Sequence, residues 1–170
     1  MRTAVQKIRL RLSRRRPIRD TLQIMTGLVR RHRDDRAVRD VELRVTSGCP
    51  PVNDRCRMAR LLGYVKASMR YERDPRGGEL IHDGADTLER LGAYGEAAGD
   101  CDDAAVCLST MLESLGIRTA FVAVSTRHDR RLHHVMVEAR DGPAGSWYAL
   151  DPFRRETGNR PLTRTMRVPV

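Results

Sequence analysis

The stretch GDCDDAAVCLSTMLESLG, residues 99–116, decides the fold, because it predicts one amphipathic helix with both of its ends marked. Asp100 and Asp103 form a D-x-x-D variant of the capping box, in which side chains at the helix start accept backbone N–H groups. Gly116 stands where a glycine in the left-handed conformation ends a helix. Six residues at helical spacing form the apolar face: Ala104, Cys107, Leu108, Met111, Leu112 and Leu115. The sequence therefore predicts a helix packed into the core.

Cys101 lies in the first turn of this helix, among a glycine and three aspartates. A thiol that only fills space usually has apolar neighbours, as Cys107 does in the middle of the helix. The positive end of the helix dipole favours a thiolate at Cys101, which is the reactive form of the group. The charges of Asp102 and Asp103 oppose this effect, and a nearby imidazolium would restore it. Cys101 is therefore a candidate nucleophile, and a buried structural thiol is the alternative.

Apolar residues on both sides of this helix complete an α+β pattern. After Gly116 the period changes from 3.6 to 2, which predicts three strands in an antiparallel meander. Before residue 71 three amphipathic helices are predicted, the last of them capped by Asp54. Residues 71–100 are rich in glycine and acidic residues, and we expect a long loop with one short helix. The predicted strands are 118–124, 132–139 and 147–150, and the predicted helices are 21–32, 38–48, 54–69, 85–92 and 100–115.

Two histidines and one aspartate on the predicted strands are candidate partners for Cys101. His133 and His134 are neighbours, so their side chains would point to opposite faces of a strand, and only one would meet the thiol. Periodicity does not choose between them. Asp151 ends the following strand, where a carboxylate could hold the second nitrogen of a histidine and fix its tautomer.

Three blocks in this order resemble the core of the transglutaminase-like superfamily. They are GDCDDAAVCLSTMLESLGIRTAFVAV, HVMVEA and SWYALDPF, with 33 residues from Cys101 to His134 and 17 from His134 to Asp151. The family has Gly-x-Cys at a helix start, L-G-I-P before a strand, His-[Val/Ala]-Trp-x-Glu, and Trp-x-x-x-Asp-Pro. Met136 stands where many members have Trp, and Arg118 stands where the family usually has Pro. YERDP (71–75) and the acidic doublet after GDC also look similar to small members carried by phages and prophages.

The resemblance implies a papain-like fold, with a cysteine-bearing helix packed on an antiparallel sheet. It implies a catalytic triad with Cys101 as the nucleophile, His134 as the general base and Asp151 as the orienting residue. The backbone N–H of Cys101 is a candidate oxyanion donor, and Tyr71 or Tyr94 is a candidate for the second donor. Cys101 and His134 could approach each other as metal ligands, but only these two good ligands converge, so we expect no metal. We also expect no cofactor.

The net charge of +10 is concentrated in the first 46 residues, which hold fourteen basic and five acidic residues. Arg14, Arg15 and Arg16 are the densest point of this basic N-terminal arm. Such an arm can contact nucleic acid, an acidic protein or an anionic surface, or it can simply be solvated. We expect residues 1–46 to form the arm and its helices and residues 47–170 the transglutaminase-like core, with one continuous globular domain from about residue 20.

The four cysteines do not have the spacing of a zinc site, and no secretory signal or membrane span is predicted. We therefore expect free thiols in a cytoplasmic protein, or in the host cytoplasm or a virion if a phage encodes it. A Cys49–Cys56 disulfide is the less favoured alternative.

These observations predict a thiol enzyme that acts on amide or peptide bonds through an acyl-enzyme, by hydrolysis rather than by amine transfer. Its partner would be a protein or peptide substrate. The alternatives are a phage virion structural or assembly protein that keeps the fold, anchored to virion proteins through the arm, and nucleic-acid binding by the arm alone.

Overall fold

The computed structural model describes residues 8–10, 18–75, 79–125, 131–153 and 164–170. Arg14, Arg15, Arg16 and the turn histidine His128 lie outside the described residues. The chain runs in the order β1 (Ile8–Leu10), α1 (Ile18–His32), α2 (Arg36–Thr46), α3 (Asp54–Ser68), β2 (Met69–Tyr71), β3 (Glu79–Ile81), α4 (Gly84–Tyr94), β4 (Ala97–Gly99), α5 (Cys101–Ser114), β5 (Thr119–Ser125), β6 (His134–Arg140), β7 (Trp147–Leu150) and β8 (Arg164–Pro169).

Helix α5 lies at the centre of the molecule, as its apolar face predicts. Every residue from Asp102 to Leu112 is buried, because α5 packs against α1, α2, α3 and α4 on some sides and against β5 and β6 on another. The helix ends as the sequence predicts: Gly116 has a φ of +77°, and its N–H donates to the carbonyl of Glu113. This conformation favours glycine over any residue with a side chain.

The main sheet is antiparallel and has the strand order β7–β6–β5–β8. The predicted meander is confirmed in β5, β6 and β7, and β8 adds a fourth strand beside β5. One face of the sheet, with Phe121, Ala123 and Val137, joins the main core. On the other face Val122, Val124 and Met136 form a second buried cluster.

Two short strands, β3 and β4, lie in the segment for which the sequence predicts a loop, and β2 lies where the predicted third helix ends and this segment begins. β2 pairs with β4 in parallel, and β3 pairs with β1 in antiparallel register. Each has only three residues, which is too short for a periodicity of two to be recognised. The pairing of β1 with β3 also shows that Ile8–Leu10, within the predicted basic arm, is part of the folded structure.

The expectation of four free thiols is wrong, because Cys49 and Cys56 form a disulfide. Pro50 and Pro51 turn the chain between α2 and α3, and the Cα atoms of the two cysteines come to 5.7 Å from each other, within the usual range for a disulfide. Spacing alone could not predict this close approach. Cys101 and Cys107 are free.

Among the described residues, no helix is both long enough and apolar enough to cross a membrane.

We expect reduction of the Cys49–Cys56 disulfide to lower the stability of the protein. The bond closes a short loop, and the loss of unfolded-state entropy on closing such a loop is worth roughly 2–3 kcal/mol. Urea unfolding of the wild type and of a Cys49→Ser/Cys56→Ser variant, each with and without dithiothreitol, measures the effect. The wild type should lose stability in dithiothreitol, whereas the double variant should not respond. Equal stability of the oxidised wild type and the double variant would contradict the expectation.

Glu42 makes the stability depend on pH. Its side chain is only 4% exposed, and burial raises its pKa to about 7 against smaller opposing effects of Ser114, Arg39 and Arg57. The folded state therefore binds a proton that the unfolded state releases above a pKa of 4.5. The folded protein loses stability as the pH rises from 4.5 to about 7, by up to about 3 kcal/mol.

Glu42→Gln removes this titration, so we expect the variant to be more stable than the wild type at about pH 8. The difference should shrink as the pH falls through 7 and should become small near pH 4.5. Urea unfolding at several pH values measures it, and exposed Glu89→Gln serves as the matched control. A difference that does not change with pH would show that Glu42 is not the titrating group.

Candidate active site

The start of α5 is held by a network of hydrogen bonds to aspartate side chains, and it includes the predicted capping box. Asp100 accepts the backbone N–H of Asp102 at 3.2 Å, and Asp103 accepts that of Asp100 at 3.2 Å. The second carboxylate oxygen of Asp103 accepts the backbone N–H of His82 at 2.7 Å, and the His82 ring lies 3.1 Å from Asp103. The sequence thus predicts the capping, but it does not predict the hydrogen bond between Asp103 and His82, which lies in the segment before α4.

Only glycine fits at position 99, because the side chain of Asp103 occupies the space that a side chain there would need. A Cβ atom at residue 99 would overlap the side chain of Asp103. Gly99 also pairs with Tyr71 across the parallel strands, and its carbonyl accepts the N–H of Glu72 at 2.9 Å. The backbone that leads into Cys101 is therefore fixed on both sides before the helix begins.

Cys101 is the first residue of α5 and is partly buried. Its sulfur accepts the backbone N–H of Val135 on β6, and this contact lowers the thiol pKa. Burial acts more strongly in the other direction, and the charges of Asp100 and Asp102 add to it, so the pKa rises to about 12. From the sequence alone, the helix dipole could lower the pKa of Cys101 and the acidic neighbours could raise it. In the structure the pKa is raised, so the thiol keeps its proton.

His134 and Asp151 form a close pair. The Nε2 atom of His134 lies 2.6 Å from a carboxylate oxygen of Asp151, and the second oxygen accepts the backbone N–H of Phe153 at 3.1 Å. His134 begins β6 and Asp151 directly follows β7, and these two strands pair in antiparallel register. Because a carboxylate only accepts, Nε2 carries the proton of this contact, which leaves Nδ1 as the proton acceptor of a neutral ring.

One cleft brings the thiol and the imidazole together. It has a volume of about 210 Å³ and is lined by Ile18, Asp100, Cys101, Asp102, Leu132, His133, His134 and Val135. Both histidines line the cleft, so its lining does not decide which of them meets the thiol, and the expectation that only one does stays a prediction. β6 starts at His134, and His133 directly precedes it. The His133 ring lies 2.8 Å from the carbonyl oxygen of Arg131.

The two tyrosines proposed as oxyanion donors are not among the residues that line the cleft. Tyr94 is 79% exposed at the end of α4. Tyr71 is half exposed, and its ring packs edge-to-face against Phe153 with centroids 5.2 Å apart. Tyr71 thus contacts the residue whose N–H holds Asp151, and its role as an oxyanion donor stays a prediction.

Sequence reasoning missed the apolar lining of the cleft. Leu132 and Val135 flank the histidines and could have been included on that basis. Ile18 is the first residue of α1 and is far from the motif in sequence, so no local signal marks it.

The acidic side chains of Asp100, Asp102 and Asp103 have carboxylate oxygens within 4.8 Å of one another. Both oxygens of Asp103 accept backbone N–H groups, and the other two carboxylates each accept one at the helix start. Helix capping therefore accounts for this cluster.

The fold resembles two solved structures from bacteria. One is of a candidate cysteine protease from Cytophaga hutchinsonii, with a TM-score of 0.52 and 16% sequence identity, covering 82% of this chain and 45% of that chain. The other is of a candidate protease from Parabacteroides distasonis, with a TM-score of 0.50 and 14% identity, covering 79% of this chain and 31% of that chain. The present chain thus spans less than half the length of either protein.

No match was found among curated proteins. The family model of the transglutaminase-like superfamily matches residues 39–152. This range contains the cysteine helix and the paired strands that carry His134 and Asp151, and the predicted α+β, papain-like architecture is confirmed. The match covers well over half of the chain, which therefore belongs to the transglutaminase-like superfamily.

Proposed function

We propose that this protein is a thiol hydrolase that cleaves amide or peptide bonds with a triad of Cys101, His134 and Asp151. The observation that carries the proposal is the pairing of His134 with Asp151 at 2.6 Å in a cleft that is also lined by Cys101. A histidine with one nitrogen held by a carboxylate presents its other nitrogen as a base, which is the arrangement that activates a nucleophile.

The thiol is activated during attack in this proposal. Burial and the neighbouring carboxylates raise the pKa of Cys101, so the resting sulfur keeps its proton. As the sulfur attacks the carbonyl carbon, that proton moves to Nδ1 of His134, and the Asp151 carboxylate stabilises the resulting imidazolium. The N–H of Val135 supports the developing negative charge on the sulfur.

The imidazolium then gives its proton to the leaving amine, the C–N bond breaks, and a thioester on Cys101 remains. Water attacks the thioester carbonyl, His134 accepts a proton from this water, and the acid product leaves as the thiol is regenerated. An amine in place of water would give transfer instead of hydrolysis with the same three residues. The backbone N–H of Cys101 is the proposed first oxyanion donor.

A virion structural or assembly role, anchored through the basic N-terminal arm, stays a prediction. Nucleic-acid binding by the arm also stays a prediction, because Arg14, Arg15 and Arg16 lie outside the described residues.

The cytoplasmic location stays a prediction as well, and the Cys49–Cys56 disulfide is more typical of an oxidising compartment. We propose one domain from about residue 20, since α1 packs on α5.

The raised pKa of Cys101 predicts how its alkylation responds to pH. Thiolate is the reacting form, so the rate with iodoacetamide should increase about tenfold per pH unit between about pH 7 and 9 and should not level off near pH 6. Intact mass and peptide mapping assign the labelled residue, and Cys107→Ala is the control because Cys107 is fully buried. A rate that is already independent of pH at neutrality would mean a preformed thiolate–imidazolium pair.

Loss of any triad side chain should abolish or strongly reduce cleavage. We expect Cys101→Ala to remove activity, and His134→Ala and Asp151→Asn to lower kcat by roughly 10²–10⁴-fold, the usual contribution of a general base and its support. The assay exposes a proteome-derived peptide mixture to each variant and detects new termini by mass spectrometry, with a dansylated primary amine added to detect transfer. Cys107→Ala should retain activity. Undiminished cleavage by Cys101→Ala would refute the proposal.

A further inference from the structure

We propose that Tyr71 is a positioning residue for the triad, which fixes the Asp151 carboxylate through the ring of Phe153. This inference rests on the proposed function, because it concerns how the same three residues are held. Tyr71 ends β2, and its ring packs edge-to-face against that of Phe153 with centroids 5.2 Å apart. The N–H of Phe153 donates to Asp151, which also accepts a hydrogen bond from His134.

The proposed site is assembled from two distant parts of the chain. Cys101 begins α5 directly after β4, whereas His134 begins β6 and Asp151 follows β7. Proton transfer between a nucleophile and its base requires that the two groups come within hydrogen-bond reach, and a misplacement of about 1 Å can lower the rate roughly a hundredfold. Contacts that join the two parts of the chain therefore affect the rate of the reaction.

The backbone of Tyr71 belongs to the part that carries the nucleophile. β2 pairs in parallel with β4, and Tyr71 lies opposite Gly99, which precedes Cys101 by two residues. The N–H of Glu72 donates to the carbonyl of Gly99 at 2.9 Å. Tyr71 is thus held against the strand that leads into the cysteine helix.

The ring of Tyr71 contacts the part that carries the base. Its plane is at 86° to that of Phe153, which is an arrangement that aromatic rings prefer. The Phe153 N–H donates at 3.1 Å to one oxygen of Asp151, and the other oxygen lies 2.6 Å from Nε2 of His134. Because the Asp151 side chain is only 9% exposed, its charge depends on such donors. A shift of Phe153 would weaken one of them and loosen the imidazole.

The ring of Tyr71, and not its hydroxyl, makes this contact. Tyr71 is 50% exposed, so it contributes little to the buried core, and edge-to-face packing does not require a hydroxyl. Tyr71→Phe should therefore hold Phe153 as well as the wild type does, whereas Tyr71→Leu has no ring and should not. An oxyanion donor would need the hydroxyl, so the two roles give opposite expectations for Tyr71→Phe.

The proton on Nε2 of His134 tests the inference without any substrate. A ring N–H that donates to a carboxylate of low exposure exchanges slowly with water, and its proton resonance is shifted downfield. The resonance is recorded by NMR in isotope-labelled protein, and its loss in His134→Ala assigns it. Its exchange rate with water is then measured at one pH in the wild type, Tyr71→Leu and Tyr71→Phe.

We expect the exchange rate to increase about three- to tenfold in Tyr71→Leu, as loss of one aromatic pair predicts, and to stay at the wild-type value in Tyr71→Phe. Phe153→Leu removes the same contact from the other side and should behave like Tyr71→Leu. The double variant should exchange no faster than either single variant, because both remove one interaction. Val38→Ala, in the core against α2, lowers stability away from this contact and should leave the exchange rate unchanged.

Kinetics with a peptide that the wild type cleaves give a second measurement. Tyr71→Leu should lower kcat about three- to tenfold and leave KM nearly unchanged, because the variant disturbs the base and not the groups that bind substrate. Tyr71→Phe should have the kcat of the wild type.

A wild-type exchange rate in Tyr71→Leu would overturn the inference, as would an equal increase in Tyr71→Phe or in Val38→Ala. If Tyr71→Leu does not fold, Phe153→Leu decides in the same way. The outcome is separate from that of the proposed function. Faster exchange in Tyr71→Leu supports the positioning role even if no peptide is cleaved, whereas cleavage that needs Cys101 but is equally fast in the wild type and Tyr71→Leu overturns the positioning role alone.

Discussion

The rest of the site depends on the hydrogen bonds that the carboxylate of Asp103 accepts. It joins three parts of the chain, because it accepts N–H groups from the segment before α4 and from the residue before Cys101 while it fills the space beside Gly99. A buried charge of this kind is tolerated only where donors surround it. The first turn of α5 can therefore adopt essentially one position, and the nucleophile is placed by the backbone rather than by its own side chain.

The electrostatic balance at Cys101 follows from that arrangement. Aspartates at a helix start stabilise the helix through its dipole, but the same charges disfavour a thiolate next to them. The aspartates therefore hold the first turn of α5 in place but disfavour a thiolate at Cys101 before the substrate binds. For this reason the proposed role of His134 is to take the thiol proton during the attack. Asp151, held by the N–H of Phe153, keeps the imidazole in one orientation, which reduces the reorganisation required when the proton moves.

The sequence predicts the parts of the fold that have long, regular patterns. The ends of α5, the strand β7 and the order of the meander agree with the structure because capping residues and periodicity are local signals. Helix α1 begins at Ile18, three residues before its predicted start, because Pro17 rather than a capping residue precedes it. The cap of α3 is Asn53 rather than Asp54. The pairing of the short strands and the presence of Ile18 in the cleft depend on contacts between distant segments, which no single stretch encodes. The Cys49–Cys56 disulfide is local, but it depends on the conformation of the turn between α2 and α3, which the cysteine spacing alone does not give. Family resemblance, and not periodicity, favours His134 over His133.

The position of β5 in the sheet has a consequence for the way the chain is synthesised. All seven residues of Thr119–Ser125 are buried, and the strand needs β6 on one side and β8 on the other. Cysteine helix and meander leave the ribosome before Arg164–Pro169, so during translation an apolar strand with one open edge is present until β8 emerges. Open edges of this kind pair readily with other chains. The nascent protein therefore exposes this edge of β5, and is open to aggregation there, after its proposed catalytic residues have been made and before β8 covers the edge.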